Sequence, residues 1–186
     1  MLYTRKGDGG QTGLFGCNQK ISKSSAVAEA LGSLDEINSL LGLVKSKSAA
    51  PEKEILNSIQ QNLFIIQAEL AGAPKTITED KVKAVEKIVD DIEKILPPIK
   101  SFFVPGGGAR EGDELSAMFD YARTVSRRAE RRAWLAEAEA KAAGGEKSIL
   151  GEFSFSYLNR LSSLLYALAR LMNHKSGINE EVPSYN

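Results

Sequence analysis

The chain has 186 residues, 24 Lys and Arg against 24 Asp and Glu, and 42% hydrophobic residues, a length and balance suited to one domain with one sizeable core. Zero net charge gives no global pull toward nucleic acid or an anionic membrane, so neither is an expected partner and anion recognition must come from a local cluster. One cysteine, Cys17, excludes an intrachain disulfide and one histidine, His174, excludes a His-rich zinc or copper site from this chain alone; the N-terminus MLYTRKGD lacks a signal-peptide apolar stretch and no run reaches bilayer length, which points to the cytoplasm.

Residues 1 to about 23 carry Gly7, Gly9, Gly10, Gly13 and Gly16 among polar residues without helical periodicity, which predicts a shaped loop or short extended segment. From 24 to about 48, Val27, Ala30, Leu31, Leu34, Ile37, Leu41 and Val44 recur at steps of three and four, a first helix capped by Ser24 or Ser25. Pro51 opens a second at a favoured first-turn position, and Ile55, Ile59, Leu63, Ile66 and Leu70 continue it to Gly72. Thr78 caps a third, with Val82, Val85, Ile88, Val89, Ile92 and Ile95 apolar until Pro97 and Pro98 stop it. After the apolar run 101–104 and an irregular turn at 105–108, a fourth helix is predicted from about 111 to 142 and a fifth from about 151 to 175, with a tail at 176–186. The expected architecture is all-α, a four- to five-helix bundle with short connections, in a single domain over 1–186.

On the fourth helix, Leu115, Ala122, Val125, Ala129 and Ala133 share one side, and Arg123, Arg127, Glu130 and Arg131 another, flanked by Arg128 and Arg132. Five arginines so close repel one another unless something anionic sits among them. Either nearby acids pair with them on a solvated face, or they form a polyphosphate site, for which the planar guanidinium fork is matched. The glycine-rich loop could add backbone N–H groups to such a site, although it has neither the Walker A nor the G-x-G-x-x-G spacing. Asn38 falls inside the first helix's apolar stripe and Asp35 at its edge, so each needs a partner, in another helix or in a ligand. Asn159, Ser163, Tyr166 and Arg170 stand opposite the fifth helix's leucine stripe, a side with few charges that suits another subunit or a ligand. A di-iron bundle is excluded because His174 has Leu171, not Glu, three residues earlier, and Cys17 reads as an incidental loop thiol.

Three segments together resemble one known family: YTRKGDGGQTGL at 3–14, EALGSLDEIN at 29–38 and ARTVSRRAERR at 122–132, with 102–107 and YLNRLS at 157–162 following in order. The chain is similar to the PduO-type ATP:cob(I)alamin adenosyltransferases over nearly its whole length. The resemblance implies a cobalamin adenosyltransferase-like bundle, ferritin-like in outline, assembled as a homotrimer with active sites between subunits. It implies transfer of the 5′-deoxyadenosyl group of ATP to cob(I)alamin, giving adenosylcobalamin and triphosphate. By the same likeness Thr4, Arg5, Lys6, Gly7, Thr12, Gly13, Lys23, Arg127, Arg128, Glu130, Arg131 and Asn159 line the ATP site, with magnesium on the phosphates and Glu130 as its one candidate ligand. Asp35 and Arg123 are implied to meet across the subunit boundary, and Phe102 to lie beside the corrin and keep the lower axial ligand away. A reductase delivering the reduced corrinoid and an adenosylcobalamin-dependent acceptor enzyme are the implied partners.

Such chemistry needs no Ser–His or Cys–His nucleophile, because the cobalt is itself the nucleophile, and a chain almost empty of His and Cys suits it. Four departures from the family pattern stand out: a longer stretch from Pro105 to Arg123, Asp120 where His is common, Ser163 where Asp is usual, and Ser24 and Ser25 where two acids often follow Lys23. The alternative function is a non-catalytic ATP or adenosylcobalamin sensor or chaperone; an RNA-binding arginine face is disfavoured by the lack of a basic excess.

Overall fold

The computed structural model describes residues 3, 5–14, 20–108 and 111–185; Thr4 and Cys17 lie outside them. A small antiparallel hairpin, β1 (Gln11–Gly13) with β2 (Lys20–Ser22), precedes five helices: α1 (Ala26–Lys47), α2 (Glu52–Leu70), α3 (Glu79–Glu93), α4 (Glu114–Ala142) and α5 (Glu152–Lys175). The helical expectation holds, with the hairpin as an addition: the extended part of the predicted loop pairs Thr12 with Ile21.

The helix ends follow from their caps. Ser25 accepts a hydrogen bond from the Ala28 N–H and opens α1, while Asp113 accepts from the Ser116 N–H at 2.7 Å and opens α4. That start is three residues later than the predicted 111, because Gly112 instead forms an isolated bridge with Gly107, and a Cβ at Gly112 would stand 2.7 Å from the Gly106 carbonyl. Pro51 occupies the cap position of α2, and Thr78 stands at the α3 cap without a side-chain hydrogen bond. Since α3 ends at Glu93, Ile95 leaves the apolar stripe and is 58% exposed. Gly151 gives α5 no capping side chain; Glu69 of α2 supplies one, accepting from the Gly151 N–H at 3.0 Å and from the Ser154 hydroxyl.

Neighbouring helices pack in the order α2–α1–α4–α5–α3. The ion pairs Arg128–Glu36 and Arg132–Glu29 show α1 and α4 running antiparallel. Leu34, Ile37 and Leu41 of α1, Leu56, Leu63 and Ile66 of α2, and Leu158, Leu161 and Leu165 of α5 fill the core. Along α4 the buried side is mostly small, with Ala122, Ala129, Ala133 and Ala136 fully covered, so the α4 backbone lies close to its neighbours and its long side chains point elsewhere. Deeper still, Tyr157 of α5 accepts a hydrogen bond from Asn62 Nδ2 at 3.1 Å, and Asn62 Oδ1 accepts from Lys81 Nζ at 2.7 Å, tying α2, α3 and α5 together. Burial, offset in part by the Asn62 bond, pushes the Tyr157 hydroxyl up to about 12, so it stays neutral.

Candidate functional site

The arginines of α4 divide into two sets. Arg128 pairs with Glu36 at 2.5 Å, Arg132 with Glu29 at 3.5 Å, and Arg123 Nε donates to Asp120 Oδ1 at 2.9 Å. Arg127 and Arg131 are exposed and make no hydrogen bond or ion pair to any described residue. Acids on α1 and α4 thus relieve part of the repulsion, while two guanidinium forks one turn apart stay open to an anion. Between them Glu130 Oε1 accepts from Asn159 Nδ2 of α5 at 3.0 Å, and Asn159 Oδ1 accepts from Arg160 at 2.6 Å. Glu130 and Asn159 edge a cavity of about 570 Å³ whose wall includes the stacked rings of Trp134 and Phe155, 3.9 Å between centroids.

The hairpin gathers a second group of cations. Gly10, at φ +76°, turns the chain so that its carbonyl accepts from the Lys23 N–H at 2.9 Å. A Cβ at Gly7 would lie 3.0 Å from Lys23 Nζ, so the bare backbone there is what lets Lys23 lie against the loop. Arg5, in the left-handed region at φ 60°, holds its guanidinium 5.3 Å from the Tyr3 ring centre. The structure places Thr12 and Gly13 in the hairpin, Arg5, Lys6 and Gly7 in the turn before it and Lys23 directly after it, with Arg127, Glu130 and Arg131 on α4 and Asn159 on α5. Neither Arg127 nor Arg131 bonds to a described residue of this N-terminal segment.

One turn before Arg127, Arg123 enters a different environment. A cavity of about 640 Å³ is lined by Arg123, Asp120, Tyr166 and Tyr185 together with Phe102, Phe103, Ile99 and Pro105. The Arg123 guanidinium lies 5.8 Å from the Tyr166 ring centre, and Phe102 stands 78% exposed at the rim. Burial, followed by the opposing effects of neighbouring charges, raises the Tyr166 hydroxyl, which stays a neutral donor. Asp35 is exposed on α1 and forms no ion pair among the described residues, so a single chain does not bring it to Arg123. Asn38 is 4% exposed; its carbonyl takes a hydrogen bond from Gln60 at 2.9 Å, whereas its side-chain oxygen has no partner among the described residues.

Sequence reasoning named Glu130 and Asn159 in one wall and Phe102, Asp120, Arg123 and Tyr166 in the other, but missed Trp134, Phe155 and Tyr185. Tyr166 and Arg170 were visible as a sparse polar stripe on the fifth helix, but Arg170 is buried and internally paired rather than facing out. Tyr185 carried no signal, since its place depends on how the tail folds back.

A sequence profile of the family described as cobalamin adenosyltransferase matches residues 2–172. The chain is 37% identical over 181 residues to the corrinoid adenosyltransferase PduO of Citrobacter freundii, covering 93% of this chain and 50% of that protein. It spans about half the length of that relative and likewise of the Salmonella typhimurium PduO, at 36% identity. The corrinoid adenosyltransferase of Bacillus subtilis is 35% identical over 96% of this chain and 90% of its own length. Among solved structures, a phenylalanine-to-histidine variant of the PduO-type ATP:corrinoid adenosyltransferase of Lactobacillus reuteri, complexed with cobalamin and ATP, superposes with a TM-score of 0.84 at 28% identity, over 100% of this chain and 97% of that one. An arginine-to-lysine variant of the same enzyme, complexed with ATP, gives 0.81 at 27% identity over 98% and 100% of the two chains. With its profile matched over residues 2–172 and two open cavities joined by one arginine-bearing helix, the chain belongs to the cobalamin adenosyltransferase family.

Proposed function

We propose that this protein transfers the 5′-deoxyadenosyl group of ATP to the cobalt of cob(I)alamin, releasing triphosphate. The observation that carries this reading is the run of α4 from Arg123, set in the aromatic cavity beside Phe102, to Arg127 and Arg131, open to an anion one and two turns later. A corrin ring is broad and apolar at its faces and suits the aromatic cavity; a triphosphate suits the open guanidinium pair. The cobalt lone pair forms the Co–C5′ bond, the C5′–O bond breaks, and its electron pair leaves with the triphosphate. The chain's tasks are then alignment and neutralisation of the departing charge, in which Arg127, Arg131, Lys23, Arg5 and Lys6 provide cations, Gly7 and Gly13 backbone N–H groups and Thr12 its hydroxyl. Arg128, although paired with Glu36, flanks the same phosphates.

Among the described residues no group of three or more His, Cys, Asp or Glu gathers as a metal cage. In this reading magnesium is an ion carried on the phosphates, and Glu130, with Oε1 engaged by Asn159, keeps its second oxygen for it. When bound, it would offset phosphate charge alongside the arginines.

The working unit in this reading is a homotrimer. Asp35 and Arg123 are not paired within one chain, and a neighbouring copy would join them. In the register set by Arg128–Glu36, exposed Leu43 of α1 stands level with exposed Tyr121 of α4, apolar area that a second copy would cover. Phe102 excludes the lower axial ligand, which eases reduction of cob(II)alamin before transfer, with a reductase upstream and an adenosylcobalamin-dependent enzyme downstream. An anaerobic assay with ATP, magnesium and chemically reduced cobalamin tests this by the corrin spectrum. ATP-dependent formation of the Co–C bond is expected; binding of both molecules without it would assign the protein to carriage or sensing.

A further inference from the structure

Arg170 of α5 is 5% exposed. A guanidinium buried this deeply needs acceptors on its own plane, and it draws them from separate parts of the chain. Its Nε donates to Glu180 Oε2 at 2.9 Å and its Nη2 to the Pro97 carbonyl at 3.1 Å, while the cation lies 5.1 Å from the Phe103 ring centre. Next to Glu180, the Glu181 carbonyl accepts from the Val104 N–H at 2.8 Å, and the Glu181 N–H donates to the Gly107 carbonyl at 3.2 Å. The segment 97–107 is thus gripped at Pro97, Phe103, Val104 and Gly107, either by Arg170 or by the stretch of tail that Arg170 holds. Phe102 lies inside that segment and, at 78% exposure, has little packing of its own to fix it.

We propose that Arg170 is a positioning residue for Phe102, with Glu180 as its partner in the clamp. The inference rests on the reading above, in which Phe102 faces the corrin. An aromatic ring that must keep a ligand off one face of a macrocycle works only while its backbone stays put, and a misplacement of about 1 Å costs on the order of 100-fold in a well-oriented site. Lysine cannot take over the role, because a single ammonium does not supply the two divergent donors of a planar guanidinium that reach Glu180 and Pro97 from a position over the Phe103 ring.

The test uses the full chain carrying Arg170→Lys or Glu180→Gln. Its readouts are ATP affinity by calorimetry, corrinoid KM and kcat, and the absorbance spectrum of bound cob(II)alamin with ATP present. The expected result is a fall of about tenfold or more in corrinoid kcat and a bound cob(II)alamin that keeps its lower ligand, with ATP affinity within about twofold of wild type. A wild-type spectrum and kcat in both variants would overturn the proposal. So would ATP and corrinoid affinities falling together with the melting temperature, the pattern of plain destabilisation. Should Arg170→Lys fail to fold, Glu180→Gln alone decides by the same readouts. Failure of the wild-type protein itself to alter the cob(II)alamin spectrum would defeat the corrin reading of the cavity, a result separable from any effect of the variants.

Discussion

Arg123 Nε donates to Asp120 Oδ1 at 2.9 Å across one turn of α4, in the wall of the aromatic cavity. Nε engagement leaves the two terminal nitrogens of Arg123 aimed elsewhere, so Asp120 aligns the guanidinium without using up its fork. The Asp120 carboxylate makes that alignment charge-assisted. Asp120→Ala is expected to cost about 1 kcal/mol of stability and to raise the corrinoid KM, and Asp120→Asn to do less of both. Unchanged corrinoid kinetics in Asp120→Ala would remove the residue from the site.

Asp35 and Arg123 make a second, intermolecular test. Because Asp35 is exposed in the single chain, Asp35→Asn should leave monomer packing intact and reduce corrinoid turnover only in the assembled protein. A double-mutant cycle with Arg123→Lys should show coupling of about 0.5–3 kcal/mol in the corrinoid-dependent rate. Simple additivity would mean that the two residues do not act as a pair.

Arg127 and Arg132 lie on the same helix with opposite expectations. Open Arg127 should weaken ATP binding by about 1.5–3 kcal/mol when changed to Ala, the value of hydrogen bonds to a charged group, with no loss of stability. Arg132, already paired with exposed Glu29, should change ATP affinity little when changed to Ala. Equal ATP affinities for the two variants would return the whole stripe to a solvated face.

The helices were legible because Leu34, Ile37 and Leu41, or Leu158, Leu161 and Leu165, repeat at helical steps, and burial follows that period directly. Arg127 and Arg131 were legible as excess charge on one face and the glycine loop as a candidate source of N–H groups for phosphate, whereas Lys23 came through resemblance alone. What sequence did not reveal are partners distant along the chain. Arg170 takes one acceptor 73 residues away and another from the tail, and no local period records either. Gly112 reads as a helix's first turn until its bridge to Gly107 is seen. Glu69 looks like one more surface acid of α2, and its place under α5 follows only from the packing of the bundle.

Glu69 puts a negative charge at the N-terminus of α5, where the first N–H groups and the helix dipole favour one. Glu69→Ala is expected to cost about 1–2 kcal/mol, in line with loss of an N-cap, measured as a shift in the urea midpoint at constant slope. An unchanged midpoint would show that water caps α5 as well as the carboxylate does.

Glu137 of α4 offers a pH test with a defined sign. It is 3% exposed; burial pushes its pKa up, but the Lys141 ammonium at 2.9 Å from Oε1, the Ile149 N–H at 2.9 Å from Oε2 and the Ser148 side chain together outweigh burial and hold it below the ordinary value of 4.5. A folded-state pKa below the unfolded one means that the unfolded chain binds the proton more tightly. The stabilisation is therefore fully present above about pH 4.5 and is lost as pH falls through the folded-state value. Asp91, lowered to about 2 by Lys87 and Lys94, pushes the whole protein's stability in the same direction, so the wild-type curve alone does not isolate Glu137. The difference between wild type and Glu137→Gln does. Denaturant unfolding of both at a series of pH values should give a gap that is widest near neutrality and narrows steadily below about pH 4.5; a gap that stays constant or widens on acidification would show that the carboxylate is no better held in the fold than in water.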